Sequence, residues 1–119
     1  MIISKSLPIQ LQSPNVQEHW TKKQKRNHVH ALLIKQHMLR DVTEIGLPCK
    51  ITLERSGKRL MDYDNYVFSC KGIRYTLAQF IFQKRRGIGD NDPRIEWIYK
   101  QIKGDISLRI EIEWEDGRE

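Results

Sequence analysis

Apolar residues alternate with polar ones in four stretches of the chain, which is the pattern of a half-buried β-strand. The second stretch ends at a Ser56–Gly57 turn, and a Gly104–Asp105 turn separates the third from the fourth. The fourth has the longest strict alternation. The apolar positions are Leu7, Ile9 and Leu11; Cys49, Ile51 and Leu53; Ile95, Trp97 and Tyr99; and Ile106, Leu108, Ile110, Ile112 and Trp114.

Two further stretches have the three-to-four-residue spacing of amphipathic helices. The first follows Ser13–Asn15 and is stopped by Gly46 and Pro48, and the second runs from Tyr63 to Gln83 with Asp62 as its cap. Their apolar positions are Ala31, Ile34, Met38, Val42 and Ile45; and Tyr66, Cys70, Ile73, Leu77 and Phe80. The order β-α-β-α-β-β predicts an α+β fold in which a single mixed sheet packs against two helices. The whole chain, 1–119, is predicted to be one domain.

Composition narrows the class of protein. Of 119 residues, 39% are hydrophobic and 30% are charged, which is typical of a globular domain. No stretch has the length of a membrane span, and Pro8 comes too early for a signal peptide. Cys49 and Cys70 lie far apart without a CxxC pair, so we expect reduced core thiols in a cytoplasmic protein.

The charge is unevenly distributed along the chain. Lys and Arg outnumber Asp and Glu by 21 to 15, a formal net charge of +6, which favours a polyanionic partner. No acidic residue lies between Glu18 and Asp41, whereas the last fifteen residues contain six acidic residues and only two basic ones. Two solvated faces would explain the same pattern. The basic positions of the early segment are Lys22, Lys23, Lys25, Arg26, Lys35 and Arg40.

Two pairs of aspartates are the candidates for chemistry. Asp62 and Asp64 lie at the predicted start of the second helix, and Asp90 and Asp92 lie in the turn after it. Ionised carboxylates are hard oxygen ligands suited to Mg²⁺, which takes its remaining ligands from water and substrate phosphate. Each pair alone is better explained by helix capping or turn formation.

Lys71 follows Asp64 by seven residues, about two turns of a continuous helix. Helical side chains lean toward the N-terminus, so the ammonium group would point back toward Asp64. There it could neutralise charge that develops on a phosphate during phosphodiester hydrolysis. A solvated surface lysine is the other interpretation.

The order of these motifs resembles the RusA-like Holliday-junction resolvases, and in particular their phage- and prophage-associated branch. The resemblance extends over nearly the whole chain. The matching motifs are the Asn15–Trp20 stretch; Asp62-x-Asp64-Asn65 opening a helix that contains Lys71 and Arg74; and the run Asp90 to Gln101.

This resemblance implies a homodimeric endodeoxyribonuclease that depends on Mg²⁺, with Mn²⁺ as a possible substitute, and resolves Holliday junctions or other branched DNA in recombination and repair. It implies that Asp62 and Asp64 bind the metal, that Asp92 or Asp90 completes the site, and that Lys71 assists catalysis. The host would be a bacterial or phage-infected cell. The residues expected to hold the DNA are Lys22, Lys23, Lys25, Arg26, Arg59, Arg74, Lys84, Arg85 and Arg86.

Two alternatives stay open at this point. Asn91 separates the two turn aspartates, and Phe68 occupies the position of a helix lysine in the founding members of that family. A catalytically degenerate nucleic-acid-binding protein of the same fold would have this sequence too. The acidic last strand also allows a protein-interaction adaptor. Such a protein would show no salt-sensitive binding to DNA.

Overall fold

A computed structural model of the chain describes residues 1–11, 20–42, 45–82 and 89–115. Four strands and three helices are present in this part of the chain, in the order β1 (Ile2–Leu7), α1 (Trp20–Val42), β2 (Cys49–Gly57), α2 (Tyr63–Ser69), α3 (Lys71–Ile81), β3 (Ile95–Lys103) and β4 (Ser107–Trp114). The strands form one mixed sheet, as the α+β prediction requires. No helix within these described ranges is long and apolar enough to span a membrane.

The sheet has the strand order β1-β4-β2-β3. Strand β4 runs antiparallel to both β1 and β2, whereas β2 and β3 are parallel, with Cys49 opposite Ile95. The consecutive strands β3 and β4 are therefore not neighbours, because β2 lies between them. The turn that joins them crosses the end of β2, where the Gly104 amide donates to the Gly57 carbonyl at 3.0 Å.

The helices cover one face of the sheet, and the core lies between the two layers. The central inward side chains of β2 and β4 are fully buried, as the alternation predicts: Ile51, Leu53, Leu108, Ile110 and Ile112. Tyr66 anchors α2 by donating a 2.6 Å hydrogen bond to the Leu53 carbonyl, and its ring meets that of Tyr99 edge-on. The largest fully buried side chains are Tyr66, Leu7, Ile9, Ile34, Met38, Ile51, Leu53, Ile73, Leu77, Leu108, Ile110 and Ile112.

The prediction of two helices is wrong, because the second predicted helix is two helices. Helix α2 ends at Ser69 and α3 begins at Lys71, with Cys70 between them in a right-handed helical conformation. The apolar spacing continues across Cys70, so hydrophobic periodicity alone gives no sign of the break. Gln83, the predicted last residue, lies outside the described residues.

The first strand also differs from the prediction. It ends at Leu7, and Ile9 and Leu11 follow it without belonging to the sheet. Pro8 has no amide hydrogen for a ladder, and the Ile9 amide instead donates to the Leu7 carbonyl at 2.8 Å. Ile9 and Leu11 are nevertheless buried, so the apolar alternation reflects core packing beyond the strand.

Candidate functional site

Three strands end at the same edge of the sheet. Because β1 and β2 are each antiparallel to β4, and β2 is parallel to β3, the carboxyl ends of β1, β2 and β3 point the same way. In open α/β sheets, ligands bind in the crevice outside the carboxyl ends of strands. The segment that carries Asp62 into α2 follows β2 at this edge, which makes it the first place to examine for a site.

Hydrogen bonds from the sheet hold the backbone just before Asp62. The Gln101 side chain, on β3, accepts from the Met61 amide and donates to the Met61 carbonyl, both at 2.9 Å. The Arg55 guanidinium, on β2, donates through Nη1 to the Arg59 carbonyl at 2.8 Å and to Gln101 Oε1 at 3.2 Å. Two strands therefore fix the position from which α2 starts.

Asp62 and Asp64 present unengaged carboxylates. Asp62 occupies the N-cap position of α2, yet its side chain makes no capping hydrogen bond. Both residues are exposed, and neither carboxylate forms an ion pair or hydrogen bond with the described part of the chain. Mg²⁺ is commonly held by one or two carboxylates together with substrate phosphates, and these two carboxylates are the ones left available to such an ion.

The carboxylates of Asp90 and Asp92, in contrast, form ion pairs with arginines. The Asp90 carboxylate lies 3.2 Å from Nη2 of Arg74, and its carbonyl accepts from Nε1 of Trp97 at 2.9 Å. The Asp92 carboxylate accepts from the Arg94 amide at 2.9 Å, from its Nε at 3.0 Å and from its Nη2 at 2.9 Å. These bonds fix the turn that leads into β3.

Both aspartate pairs border β3, and Tyr63, which lies between Asp62 and Asp64 in the chain, meets the Tyr99 ring edge-on at 6.2 Å. Met61, next to Asp62, contacts Gln101, whereas Asp90 contacts Trp97, four residues earlier on the strand. At about 3.3 Å per residue these two contact points are about 13 Å apart. Within the described ranges, no three His, Cys, Asp or Glu side chains gather in a metal-binding group.

Lys71 is the first residue of α3 and is exposed. The inference that it points toward Asp64 assumed one continuous helix, and that assumption is wrong because the helix is interrupted at Cys70. Its role in catalysis remains a prediction.

Arg74, predicted to hold DNA, packs its guanidinium 5.2 Å from the Trp97 ring centre beside Asp90, and its side chain is 19% exposed.

The basic start of α1 lies beside α2 and α3. Nζ of Lys23 is 6.0 Å from the centre of the exposed Phe68 ring. One turn later, the Asn27 side chain lies 3.4 Å from the point where a Cβ on Gly72 would stand, so α1 and α3 are in contact here. Lys22, Lys23 and Lys25 are exposed, Arg26 is half-buried, and Lys84, Arg85 and Arg86 lie outside the described residues.

Several ionisable groups are buried beneath this surface. Burial, assisted by the nearby charge of Arg26, lowers the pKa of His30. Burial raises the pKa of Cys49 to about 11 and that of Cys70 to about 12. Both cysteines are free and buried, as predicted, and at neutral pH their thiols are protonated and unreactive.

Sequence reasoning overlooked Arg55. It continues the inward-facing series Cys49, Ile51 and Leu53 of β2, and a charged residue at the end of an apolar series is the signal that could have identified it.

No protein-family model matches the chain, and no curated protein is significantly similar to it. The relation to RusA-like resolvases therefore stays a resemblance of motifs.

Proposed function

We propose that this chain is a Mg²⁺-dependent endodeoxyribonuclease of the RusA-like type, which hydrolyses phosphodiester bonds in Holliday junctions or other branched DNA. The observation that carries the proposal is the pair of exposed, unengaged carboxylates of Asp62 and Asp64 at the carboxyl edge of the sheet. The net charge of +6 and the basic start of α1 beside α2 support a polyanionic substrate.

Some residues of the site would bind the metal ion, and others would stabilise negative charge on the phosphate. Asp62 and Asp64 would hold the Mg²⁺, and Asp90 or Asp92 would join them only by leaving its arginine. When bound, the ion supplies Lewis-acid polarisation of a phosphoryl oxygen. Arg59 and Lys71, both exposed, would stabilise negative charge on the phosphate.

Recognition of the substrate would rest on shape. The lysines at the start of α1 would contact the DNA backbone, and such contacts contribute affinity without reading sequence. A homodimer, as the resemblance implies, would present two such sites related by two-fold symmetry. That arrangement matches two symmetric nicks in a four-way junction.

A second candidate function is a nucleic-acid-binding protein of the same fold without cleavage activity. One observation favours it: the carboxylates of both turn aspartates, Asp90 and Asp92, form ion pairs with arginines. A site with only two carboxylates free would bind a cation weakly. DNA binding would then persist without hydrolysis.

Cleavage of a labelled four-way junction, beside a linear duplex of the same sequence, separates the two functions. The assay compares Mg²⁺ with EDTA and wild type with Asp62→Asn. Glu96→Gln is the matched control, since it removes one negative charge from an exposed position on the sheet face that the helices leave uncovered.

The endonuclease proposal expects paired nicks in the junction that require Mg²⁺, disappear in Asp62→Asn and persist in Glu96→Gln. Tight junction binding without nicks in any condition would support the non-enzymatic function. An Asp62→Asn variant as active as wild type would place the chemistry elsewhere in the chain.

A further inference from the structure

A cleft of about 240 Å³ opens at the carboxyl edge of the sheet, beside the segment that leads to Asp62. It is lined by the chain that follows β1, by the end of β2 and the residues after it, and by Ile106 just before β4. The lining residues are Ile9, Gln10, Leu11, Arg55, Ser56, Gly57, Lys58, Arg59 and Ile106.

The two sides of the cleft differ in chemistry. One side is apolar, with Ile9, Leu11 and the half-exposed Ile106. The other has three cationic side chains, Arg55, Lys58 and Arg59, and no carboxylate is among the lining residues. Three uncompensated positive charges in a concave site attract an anion.

Arg55 is held in place at this cleft. Its Nη1 is fixed by the Arg59 carbonyl and Gln101 Oε1, and the guanidinium folds over Gly57. A Cβ at Gly57 would stand 2.9 Å from Nη2 of Arg55 and 3.2 Å from its Cζ, so a larger residue at 57 would displace the guanidinium from this position. A guanidinium positioned in advance loses less conformational entropy when it binds an anion.

Lys58 and Arg59 complete the basic side with mobile charges. Both are exposed, and neither side chain forms a hydrogen bond or ion pair with the described residues. Their charges therefore stay available to a ligand. Arg59 is only three residues from Asp62 in the chain, so an anion in the cleft would lie near the candidate catalytic edge.

We propose that this cleft binds a phosphate group of a DNA strand, with the phosphate against Arg55, Lys58 and Arg59 and the adjoining sugar against the apolar side. The proposal rests on the proposed function and deepens it, because the cleft would hold the strand next to Asp62. A sugar–phosphate unit has the same division into an anionic part and a less polar part. Inorganic phosphate presents the same anionic group and is the second source to test.

The test is the salt dependence of junction binding in EDTA, so that hydrolysis plays no part. Lys58→Gln removes a charge from the cleft at an exposed position where folding is not at risk. Lys100→Gln is the matched control, because Lys100 is an exposed lysine on the uncovered face of the sheet. Each phosphate contact contributes about 0.9 to the slope of log affinity against log salt concentration.

The expected result is a slope reduced by about 0.9 in Lys58→Gln and unchanged in Lys100→Gln. An unchanged slope in Lys58→Gln, or equal reductions in both variants, overturns the cleft proposal and leaves the endonuclease proposal intact. Wild-type protein that does not bind DNA overturns the endonuclease proposal.

Thermal unfolding supplies the second arm. Wild-type protein in inorganic phosphate is compared with protein in chloride of equal ionic strength. A rise in Tm that is lost in Lys58→Gln and kept in Lys100→Gln supports a phosphate site in the cleft even where DNA does not bind. A rise that Lys58→Gln also shows overturns the cleft as the phosphate site, and so does an unchanged DNA slope by itself.

Discussion

The two pairs of aspartates that border β3 differ in their neighbours, although both consist of aspartates two residues apart. Asp62 and Asp64 are exposed and engage no arginine or lysine within the described ranges. The carboxylates of Asp90 and Asp92 meet Arg74 and Arg94 at 3.2 and 2.9 Å. Two pairs of aspartates that look alike in sequence therefore have different neighbours.

This difference separates structural from functional carboxylates by a physical criterion. Removal of a carboxylate that pairs with a poorly exposed arginine leaves that charge without compensation, which lowers stability. A carboxylate without a partner adds repulsion near other acidic groups and contributes little to stability. Its value lies in what it can bind, so stability and activity should respond in opposite ways in the two pairs.

The largest effect is expected for Asp64→Asn. Loss of a direct metal ligand should lower cleavage of the four-way junction by more than the roughly 100-fold that loss of an outer-shell partner costs. Junction binding should be retained or become tighter, because a repulsive carboxylate is removed while the basic residues remain. Cleavage rate and junction affinity are measured on the same preparation.

Glu96→Gln is the control for this variant as well, since it changes the net charge equally at a distant exposed position. The Tm of both variants should match that of wild type. A loss of cleavage accompanied by a large fall in Tm would mean that Asp64 is structural, which would remove the contrast between the two pairs.

Asp90→Asn should show the reverse behaviour. Its side chain and that of Arg74 are only 20% and 19% exposed, so the variant leaves a half-buried guanidinium without its anion. We expect a loss of roughly 1–3 kcal/mol of unfolding free energy, seen as a fall of several degrees in Tm by calorimetry. Asp105→Asn, an exposed aspartate in the turn before β4, should leave Tm unchanged.

Cleavage by Asp90→Asn sharpens the same comparison. If Asp90 leaves Arg74 to join Asp62 and Asp64 when metal binds, the variant loses cleavage and also loses any Mg²⁺-dependent rise in Tm. A stable, fully active variant would show that neither the ion pair nor the metal site needs this carboxylate.

Most of the fold could be predicted because it follows from local patterns. The alternation in β4 and β2 and the helical spacing of Ile34 and Met38 gave the elements that the structure contains. The break at Cys70 could not be predicted, since the apolar stripe continues through it. Neither could the position of β2 between β3 and β4, which depends on pairing between distant strands.

The sequence was enough to predict which residues belong to the candidate site. It was not enough to predict which of their side chains lie next to one another. The motif identified all four aspartates, but their placement depends on how Gln101 and Trp97 hold the adjoining backbone. Arg94 is adjacent to the Asp92 turn and could have been foreseen as its partner. Arg74, sixteen residues before Asp90, is brought to it only by packing of α3 on the sheet.

A third prediction concerns His30, a buried group outside both aspartate pairs. Burial and Arg26 lower its pKa below the ordinary value of 6.5, so the folded protein binds fewer protons there than the unfolded chain. Stability should be fully present above pH 6.5 and fall as the pH drops from 6.5 through the lowered pKa. Each unit of pKa depression corresponds to about 1.4 kcal/mol.

Urea unfolding at pH 7 and pH 5 measures this dependence. His30→Gln should flatten it, whereas His28→Gln, which changes an exposed histidine on the same helix, should not. An equal pH dependence in wild type and His30→Gln would assign the acid sensitivity to other groups.

The smallest effect is expected for Asp92→Asn. Asparagine keeps an oxygen that can accept from the Arg94 amide, so the turn before β3 retains its hydrogen bond. The lost ion pair involves an arginine side chain that is 40% exposed, and solvent screening leaves such pairs with little net effect on stability. The Tm should therefore change less than in Asp90→Asn. A full loss of junction cleavage at unchanged Tm would instead class Asp92 with Asp62 and Asp64. Such a result means that the carboxylate is needed for binding a ligand and is not needed for the fold.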